Sequence, residues 1–132
     1  MPRLTAVLWI SAGAVLGANA RWIVNLAAAR WFGPAFPWGT LVVNLGGCLA
    51  IGTVATLVGA RLVPRPEELR LFLIVGFLGS LTTFSSFAWE THALLEGGAW
   101  GRALLNVAGS VVGGLAGVRL GILLSHGLSD FF

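Results

Sequence analysis

Hydrophobic residues run along this chain in four long stretches, which short breaks of proline and glycine separate. The stretches cover residues 4–29, 38–62, 69–95 and 102–124. Each exceeds the roughly 20 residues that an α-helix needs to cross the hydrocarbon core of a bilayer. The breaks contain Gly33, Pro34 and Pro37, then Pro64 and Pro66, then Gly97 and Gly98. The pattern predicts an all-α membrane protein, with four transmembrane helices in a single domain covering residues 1–132.

The composition excludes a soluble domain and a nucleic-acid-binding protein. Charged residues make up 10% of the chain, whereas soluble domains carry about 25%. The net charge is only +3, and the eight basic residues are arginines scattered singly, so no basic face can neutralise a row of phosphates. Cys48 is the only cysteine, which excludes an internal disulfide and a cysteine-rich metal site. His92 and His126 have no paired nucleophile, so we expect no enzyme.

The arginines of the predicted loops give only a weak orientation signal. Four spans place both termini on one side of the membrane. That side carries Arg3, Arg61, Arg65 and Arg70, and the opposite side carries Arg30 and Arg102. Cytoplasmic loops are enriched in Lys and Arg, so the bias favours termini inside. Its small size also permits insertion in both orientations, which an antiparallel homodimer requires. We expect a multi-pass protein of the plasma (inner) membrane.

Small residues at four-residue spacing predict closely packed helices. The stripes are Gly13 and Gly17 in the first span, Cys48 and Gly52 in the second, and Gly109, Gly113, Gly117 and Gly121 in the fourth. Such stripes let helix backbones approach each other inside a bilayer, where no hydrophobic effect drives the helices together. We interpret them as packing features that carry no information about substrate.

The third span contains most of the polar groups. Residues 76–87 read GFLGSLTTFSSF, which places five hydroxyl groups at membrane depth. Polar groups at that depth usually face the bundle interior or a wet cavity. Gly76 and Gly79, followed by the β-branched Thr82 and Thr83, form helix weakly, so the helix could be interrupted here. The alternative is an unbroken helix whose hydroxyl groups bond to their own carbonyls.

Polar residues from all four spans fall at similar depths. At ~1.5 Å per residue, Asn44 lies roughly 9 Å inside the second span, and Phe87 and Ser110 lie roughly 12 Å inside the third and fourth. Asn106 is one turn shallower than Ser110, and Arg21 reaches a similar depth in the first span. All of these depths are counted from helix ends on the same side of the membrane, so the pattern predicts that the residues lie in one layer.

The phenylalanines of the third span belong to the same layer. Phe84 and Phe87 are three residues apart and share a helix face. Two phenylalanines in lipid usually pack against other helices, but an aromatic ring also has a positive edge. Edges turned inward would form a weakly electropositive wall. With amide, hydroxyl and guanidinium donors and no carboxylate, this layer suits an anion.

The midpoint of the third span is Thr82. In an antiparallel dimer the two-fold axis lies in the membrane plane, so only residues at mid-depth, here 79–83, can meet their own copies. Carbonyls released by an interrupted helix would cluster around that axis. Such a cluster forms a cage for a small hard cation such as sodium.

The motifs quoted above resemble those of the Fluc/CrcB fluoride channels. GFLGSLTTFSSF closely matches the family's third-helix signature, which reads much like GFxGxxTTFSTF. GAVLGANAR in the first span resembles the family's Gly-rich segment ending in Gly-Ala-x-x-Arg, and FPWGTLVVNLGGCLAIG is similar to its second helix. The resemblance covers essentially the whole chain.

The resemblance implies a dual-topology homodimer with two antiparallel fluoride pores and a central sodium ion. Its implied sodium ligands are the carbonyls of Gly79 and Thr82. Its implied fluoride pathway consists of Asn44, Phe84, Phe87, Ser85, Ser86 and Ser110, with Thr40 and Arg21 near the aqueous vestibule. Asn106 and Gly114 depart from the family, which often has a tyrosine and a further serine there; we still count Asn106 in the pathway.

We therefore expect a fluoride-selective channel that exports fluoride passively and lowers its cytoplasmic concentration. The alternative is a small multidrug-type, proton-coupled cation exporter, which is also a four-span, dual-topology dimer. That mechanism needs a carboxylate embedded early in the first helix. The first span has none, and Glu90, near the end of the third, is the only acid within any span.

Overall fold

The computed structural model describes residues 2–129, and these residues are helical with short connections. The elements are α1 (Arg3–Phe32), α2 (Trp38–Gly59), α3 (Pro66–Leu69), a π-helical stretch (Arg70–Leu78), α4 (Gly79–Leu81), α5 (Phe84–Glu96) and α6 (Trp100–Ser129). Four helical segments are long and apolar enough to cross a membrane: Arg3–Phe32, Trp38–Gly59, Pro66–Glu96 and Trp100–Gly127. This confirms the four predicted spans. Pro66–Glu96 is the third span below.

Helix ends follow local backbone chemistry rather than the limits of the hydrophobic stretches. α1 continues to Phe32 and stops at Gly33, whose φ of 76° suits a residue without a side chain. The third span begins at Pro66, because proline fits the first helical turn. Arg70 and Arg102, which we counted with the loop arginines for the orientation signal, lie in helical turns near the starts of the third and fourth spans. Arg70 pairs with Glu67 at 3.0 Å on the exposed surface, where such a pair contributes little stability.

The third span contains three kinds of backbone. Its first half is mainly the π-helical stretch, after which α4 forms one short α-helical turn. Thr82 (φ −80°, ψ 155°) and Thr83 (φ −153°, ψ 120°) are both extended, and α5 starts at Phe84. Hydroxyl back-bonding also occurs, because Thr82 Oγ1 donates to the Leu78 carbonyl at 2.9 Å. We call Thr82 and Thr83 the extended pair.

The helices pack through the predicted stripes of small residues. α1 lies against the π-helical stretch, where a side chain at Gly13 or Gly17 would overlap backbone atoms of Phe72 and Phe77. α2 lies against α6, where a side chain at Gly52 would overlap the backbone of Val118. Gly117 and Gly121 of α6 complete the second contact by packing on α2. The expectation that these glycines serve close packing is confirmed.

Candidate functional site

The side chain of Asn44 is bonded to the extended pair in both directions. Its Oδ1 accepts a hydrogen bond from the Thr83 N–H at 2.8 Å, and its Nδ2 donates to the Thr83 carbonyl at 3.1 Å. In a continuous α-helix the Thr83 N–H would bond to the carbonyl of Gly79, four residues earlier. Asn44 on α2 thus supplies the partner that this part of the third span lacks. The second N–H of its amide is not used in these two bonds.

A groove of about 520 Å³ opens beside this contact. Its lining includes six of the residues that the sequence predicted for ion contacts: Asn44, Gly79, Thr82, Phe84, Phe87 and Ser110. No acidic residue is among the described residues that line the groove. Cys48 also lines it, a residue that we had interpreted as packing only. The groove therefore brings residues from α2, the third span and α6 together.

The hydroxyl of Ser110 is a second polar group of the groove with unused bonding capacity. Its Oγ is buried and has no hydrogen-bond partner within residues 2–129. A buried hydroxyl without a partner costs free energy, so this group is ready to donate to a ligand. Its chemistry suits an anion or a water molecule.

The two phenylalanines form a pair on the wall of the groove. The ring centroids of Phe84 and Phe87 are 5.6 Å apart, and the ring planes are inclined by 46°. Phe84 is 80% exposed. In a single chain, one face of this aromatic pair is therefore uncovered.

The hydroxyls of Ser85 and Ser86 form a cluster with Thr83 at the start of α5. Thr83 caps the helix, because its Oγ1 accepts from the Ser86 N–H at 3.2 Å. The same oxygen lies 3.1 Å from Ser86 Oγ and 3.3 Å from Ser85 Oγ. Neither serine is among the residues that line the groove. Ser85 is exposed and Ser86 is half-buried, so this cluster leads away from the groove toward the surface.

Arg21 lies beside the extended pair. Its Nη1 donates to the Thr82 carbonyl at 3.4 Å, a long hydrogen bond. The ion pair between Arg70 and Glu67 is the only one within the part of the chain that the structure describes. Arg21 therefore contacts a backbone carbonyl and makes no ion pair with a carboxylate among the described residues.

Thr40 and Glu90 form a second polar site that the sequence did not predict as a unit. Thr40 is 1% exposed, and its Oγ1 donates to Glu90 Oε1 at 2.8 Å. Glu90 lines a separate cavity of about 540 Å³, together with Asn25 and residues of the α1–α2 loop. Its Oε2 is buried without a partner among residues 2–129. The available signal was that Glu90 is the only acid inside a predicted span.

Asn106 lies apart from the groove. It is 0% exposed, and its Nδ2 donates to Thr91 Oγ1 at 2.9 Å, which joins α6 to α5. It does not appear among the groove-lining residues.

The chain offers backbone rather than side-chain ligands for a cation. Residues 2–129 contain no group of three or more His, Cys, Asp or Glu side chains that could hold a metal ion. Gly79 and Thr82 both line the groove. The Gly79 carbonyl loses its usual α-helical partner, since the Thr83 N–H donates to Asn44.

Comparison with known proteins gives a consistent result. The family model described as "CrcB-like protein, Camphor Resistance (CrcB)" matches residues 8–122. A protein of Solibacter usitatus is 50% identical over 120 residues, which are 90% of this chain and 97% of that protein. A protein of Chloroflexus aurantiacus is 47% identical over 120 residues (91% and 94%), and one of Magnetococcus marinus is 42% identical over 120 residues (91% and 97%). All three carry the name "Fluoride-specific ion channel FluC".

Proposed function

The chain belongs to the CrcB family, and from this premise we propose that it is a fluoride-specific ion channel. The observation that carries the proposal is the groove, which gathers amide, hydroxyl and aromatic groups without an acidic side chain. Fluoride is small and strongly hydrated. A selective pathway must replace its water with hydrogen-bond donors that do not hold it too tightly.

The groove residues divide this task. The spare N–H of Asn44 and the unpartnered hydroxyl of Ser110 donate hydrogen bonds to the ion. The edges of Phe84 and Phe87 attract it weakly and bind no water, so the ion moves on. Ser85 and Ser86 extend the row of hydroxyls toward the surface. Thr40 donates to Glu90, which lines the second cavity, and we assign this cavity to the aqueous vestibule.

Transport is passive and directed outward under acid stress. Hydrogen fluoride enters a cell from an acidic medium, dissociates inside and leaves fluoride trapped there. A channel in the inner membrane then lowers cytoplasmic fluoride without an energy source. The alternative of a proton-coupled cation exporter lacks support, because α1 contains no carboxylate and the Glu90 carboxylate lies outside the groove.

Ion flux from liposomes tests the proposal. We expect purified protein to release fluoride far faster than chloride, at a rate that does not depend on a proton gradient. Fluoride and chloride electrodes measure both ions from the same vesicles. Equal chloride flux, or flux that needs a proton gradient, would contradict the channel function.

We also propose that the functional unit is an antiparallel, dual-topology homodimer, with the third span interrupted at mid-membrane by the extended pair. Two features support it. Phe84 is 80% exposed on an open groove, and a second copy would cover this wall. Thr82 lies close to the middle of the third span, where an in-plane two-fold axis brings equivalent residues together.

Replacing either phenylalanine with isoleucine separates a role in conduction from one in packing. Phe84→Ile and Phe87→Ile keep apolar volume but remove the ring edge, so we expect fluoride flux to fall at least ten-fold, about 1.4 kcal/mol, while the dimer persists. Flux and dimer content are measured on the same preparations. Wild-type flux in a stable variant would exclude a role for that ring.

A sodium ion at the dimer centre fits the extended pair. The Gly79 and Thr82 carbonyls would hold it, two from each copy, and it would neutralise the facing backbone dipoles and so stabilise the dimer. Two observations support this fit. The Thr83 N–H donates to Asn44 and not to the Gly79 carbonyl, and the backbone of Thr82 is extended. Arg21 shares the Thr82 oxygen, so its charge would weaken sodium binding.

Dimer dissociation in detergent tests the ion. We expect sodium to slow dissociation relative to a large organic cation at equal ionic strength, because a ligand bound only by the assembled state stabilises that state. Potassium should substitute poorly. Gly79→Leu should remove the difference by crowding the two-fold axis and by favouring helix. Dissociation rates that are the same in both cations would rule out a structural sodium.

A further inference from the structure

Asn106 occupies a fully buried position between α6 and α5, where its amide orientation can be deduced. Thr91 Oγ1 lies 2.7 Å from the Phe87 carbonyl and 2.9 Å from Asn106 Nδ2. A threonine hydroxyl has a single hydrogen. A carbonyl can only accept, so this hydrogen is donated to Phe87. The hydroxyl must then accept from Asn106, and the nitrogen of the amide must be the atom that faces Thr91.

The other end of the amide is therefore an acceptor. Asn106 Oδ1 is buried and lacks a hydrogen-bond partner within residues 2–129. An anion needs a donor, and a carbonyl oxygen repels it. Asn106 also does not line the groove. The amide nitrogen has a second hydrogen, but the side chain is 0% exposed and lies outside the groove, which argues against direct contact between Asn106 and fluoride.

The hydrogen-bond chain instead joins α6 to α5, the two helices that carry Ser110 and Phe87 of the groove. It runs from Asn106 on α6 through Thr91 to the Phe87 carbonyl on α5. Ser110 lies one turn beyond Asn106 on α6, and Ser110 lines the same groove as Phe87. A buried apolar residue would avoid the cost of the unpaired oxygen. Asn106 therefore differs from a buried apolar residue in one useful respect, which is the hydrogen bond that it donates to Thr91.

We propose that Asn106 is a positioning residue that sets the placement of the Phe87 wall of α5 against Ser110 on α6, and not a fluoride ligand. This inference rests on the proposed channel function. Asn106 departs from the family pattern, and the sequence placed it in the fluoride pathway. The inference gives it a positioning role instead.

A double-mutant cycle tests this role in the full-length dimer. Asn106→Leu and Thr91→Val each remove one partner of the bond, and Thr91→Ser keeps the hydroxyl as a matched control. We expect each of the first two variants to lower maximal fluoride flux several-fold, with the double variant no worse than the more severe single variant. The half-saturating fluoride concentration should stay unchanged, and Thr91→Ser should retain most of the flux.

A swapped pair provides the rescue. Asn106→Thr combined with Thr91→Asn places a donor on α5 and an acceptor on α6, and it should restore flux relative to either single change. If Asn106→Leu raises the half-saturating fluoride concentration while Thr91→Val behaves as wild type, Asn106 touches the ion and the inference is overturned. Additive losses in the double variant would overturn it as well.

Unfolding in detergent keeps this test separate from the proposed function. Interhelical hydrogen bonds in membrane proteins show coupling energies that correspond to roughly three-fold to twenty-fold in the unfolding equilibrium constant. We expect coupling of this size between Asn106 and Thr91, whether or not the protein conducts. Absence of coupling would disprove the bond. Absence of flux in the wild type would refute the channel function instead.

Discussion

Replacing Asn44 with leucine is expected to lower fluoride flux by more than a hundred-fold. The side chain bonds to both backbone groups of Thr83 and provides a spare N–H to the groove. Leucine has the same number of side-chain heavy atoms and the same branching, but it leaves the Thr83 N–H and carbonyl without these partners. Each unsatisfied backbone group costs several kcal/mol inside a bilayer. We therefore expect the extended pair to rearrange, with a loss of both the pathway and dimer stability.

The matched control for this change is Thr83→Val. That substitution removes the helix cap, which costs about 1 kcal/mol, but leaves both backbone bonds to Asn44 in place. Flux from liposomes and the fraction of dimer in detergent should be measured for both variants. If Asn44→Leu conducts as well as Thr83→Val, the backbone bonds of Asn44 are not needed for the pathway.

The second large effect is expected at Gly52, on the contact between α2 and α6. A methyl group there would overlap the Val118 carbonyl oxygen and lie 3.0 Å from its carbonyl carbon. These are backbone atoms of a helix, so they cannot move aside as a flexible side chain can. Overpacking in a protein core typically costs about 1–3 kcal/mol, and a rigid backbone contact belongs at the upper end. Gly52→Ala should therefore separate α2 from α6 and reduce the yield of folded protein.

Gly46→Ala is the control on the same helix. A methyl group at Gly46 meets nothing within 4 Å in the described chain, and alanine favours helix over glycine by about 1 kcal/mol. We expect this variant to unfold at the same or a higher denaturant concentration than wild type, and Gly52→Ala at a clearly lower one. Equal unfolding midpoints for the two variants would mean that α2 and α6 pack less closely than the structure shows.

The sequence predicted those parts of the fold that depend on local patterns. Hydropathy identified the four spans, because each must present an apolar surface to lipid. Four-residue spacing identified Gly13, Gly17, Gly52 and Gly121 as packing sites, because that spacing defines one helix face. The helix ends were less accurate. They depend on features such as the positive φ of Gly33 and Pro66 in a first turn, which hydropathy does not report.

The sequence predicted how deep the site residues lie in the membrane, but not the direction in which their side chains point. Counting along each span brought Asn44, Phe87 and Ser110 into one layer, and the groove contains all three. Depth does not tell which way a side chain points around its helix axis. The bonds of Asn44 to Thr83, of Thr40 to Glu90 and of Asn106 to Thr91 depend on those directions. They required the packed arrangement of the helices.

The π-helical stretch Arg70–Leu78 has a consequence for how this chain should be aligned with its relatives. In a π-helix each N–H reaches back five residues rather than four. At the end of the stretch the Gly79 N–H is shared between the carbonyls of Gly76 and Ile74, the second of which lies five residues back. The wider turns accommodate more residues over the same length than an α-helix does. A relative with one residue fewer in this stretch can therefore adopt an α-helix and keep Pro66 and the extended pair at the same positions. A single-residue gap belongs within residues 70–78, whereas one between Gly79 and Phe87 would displace the groove residues.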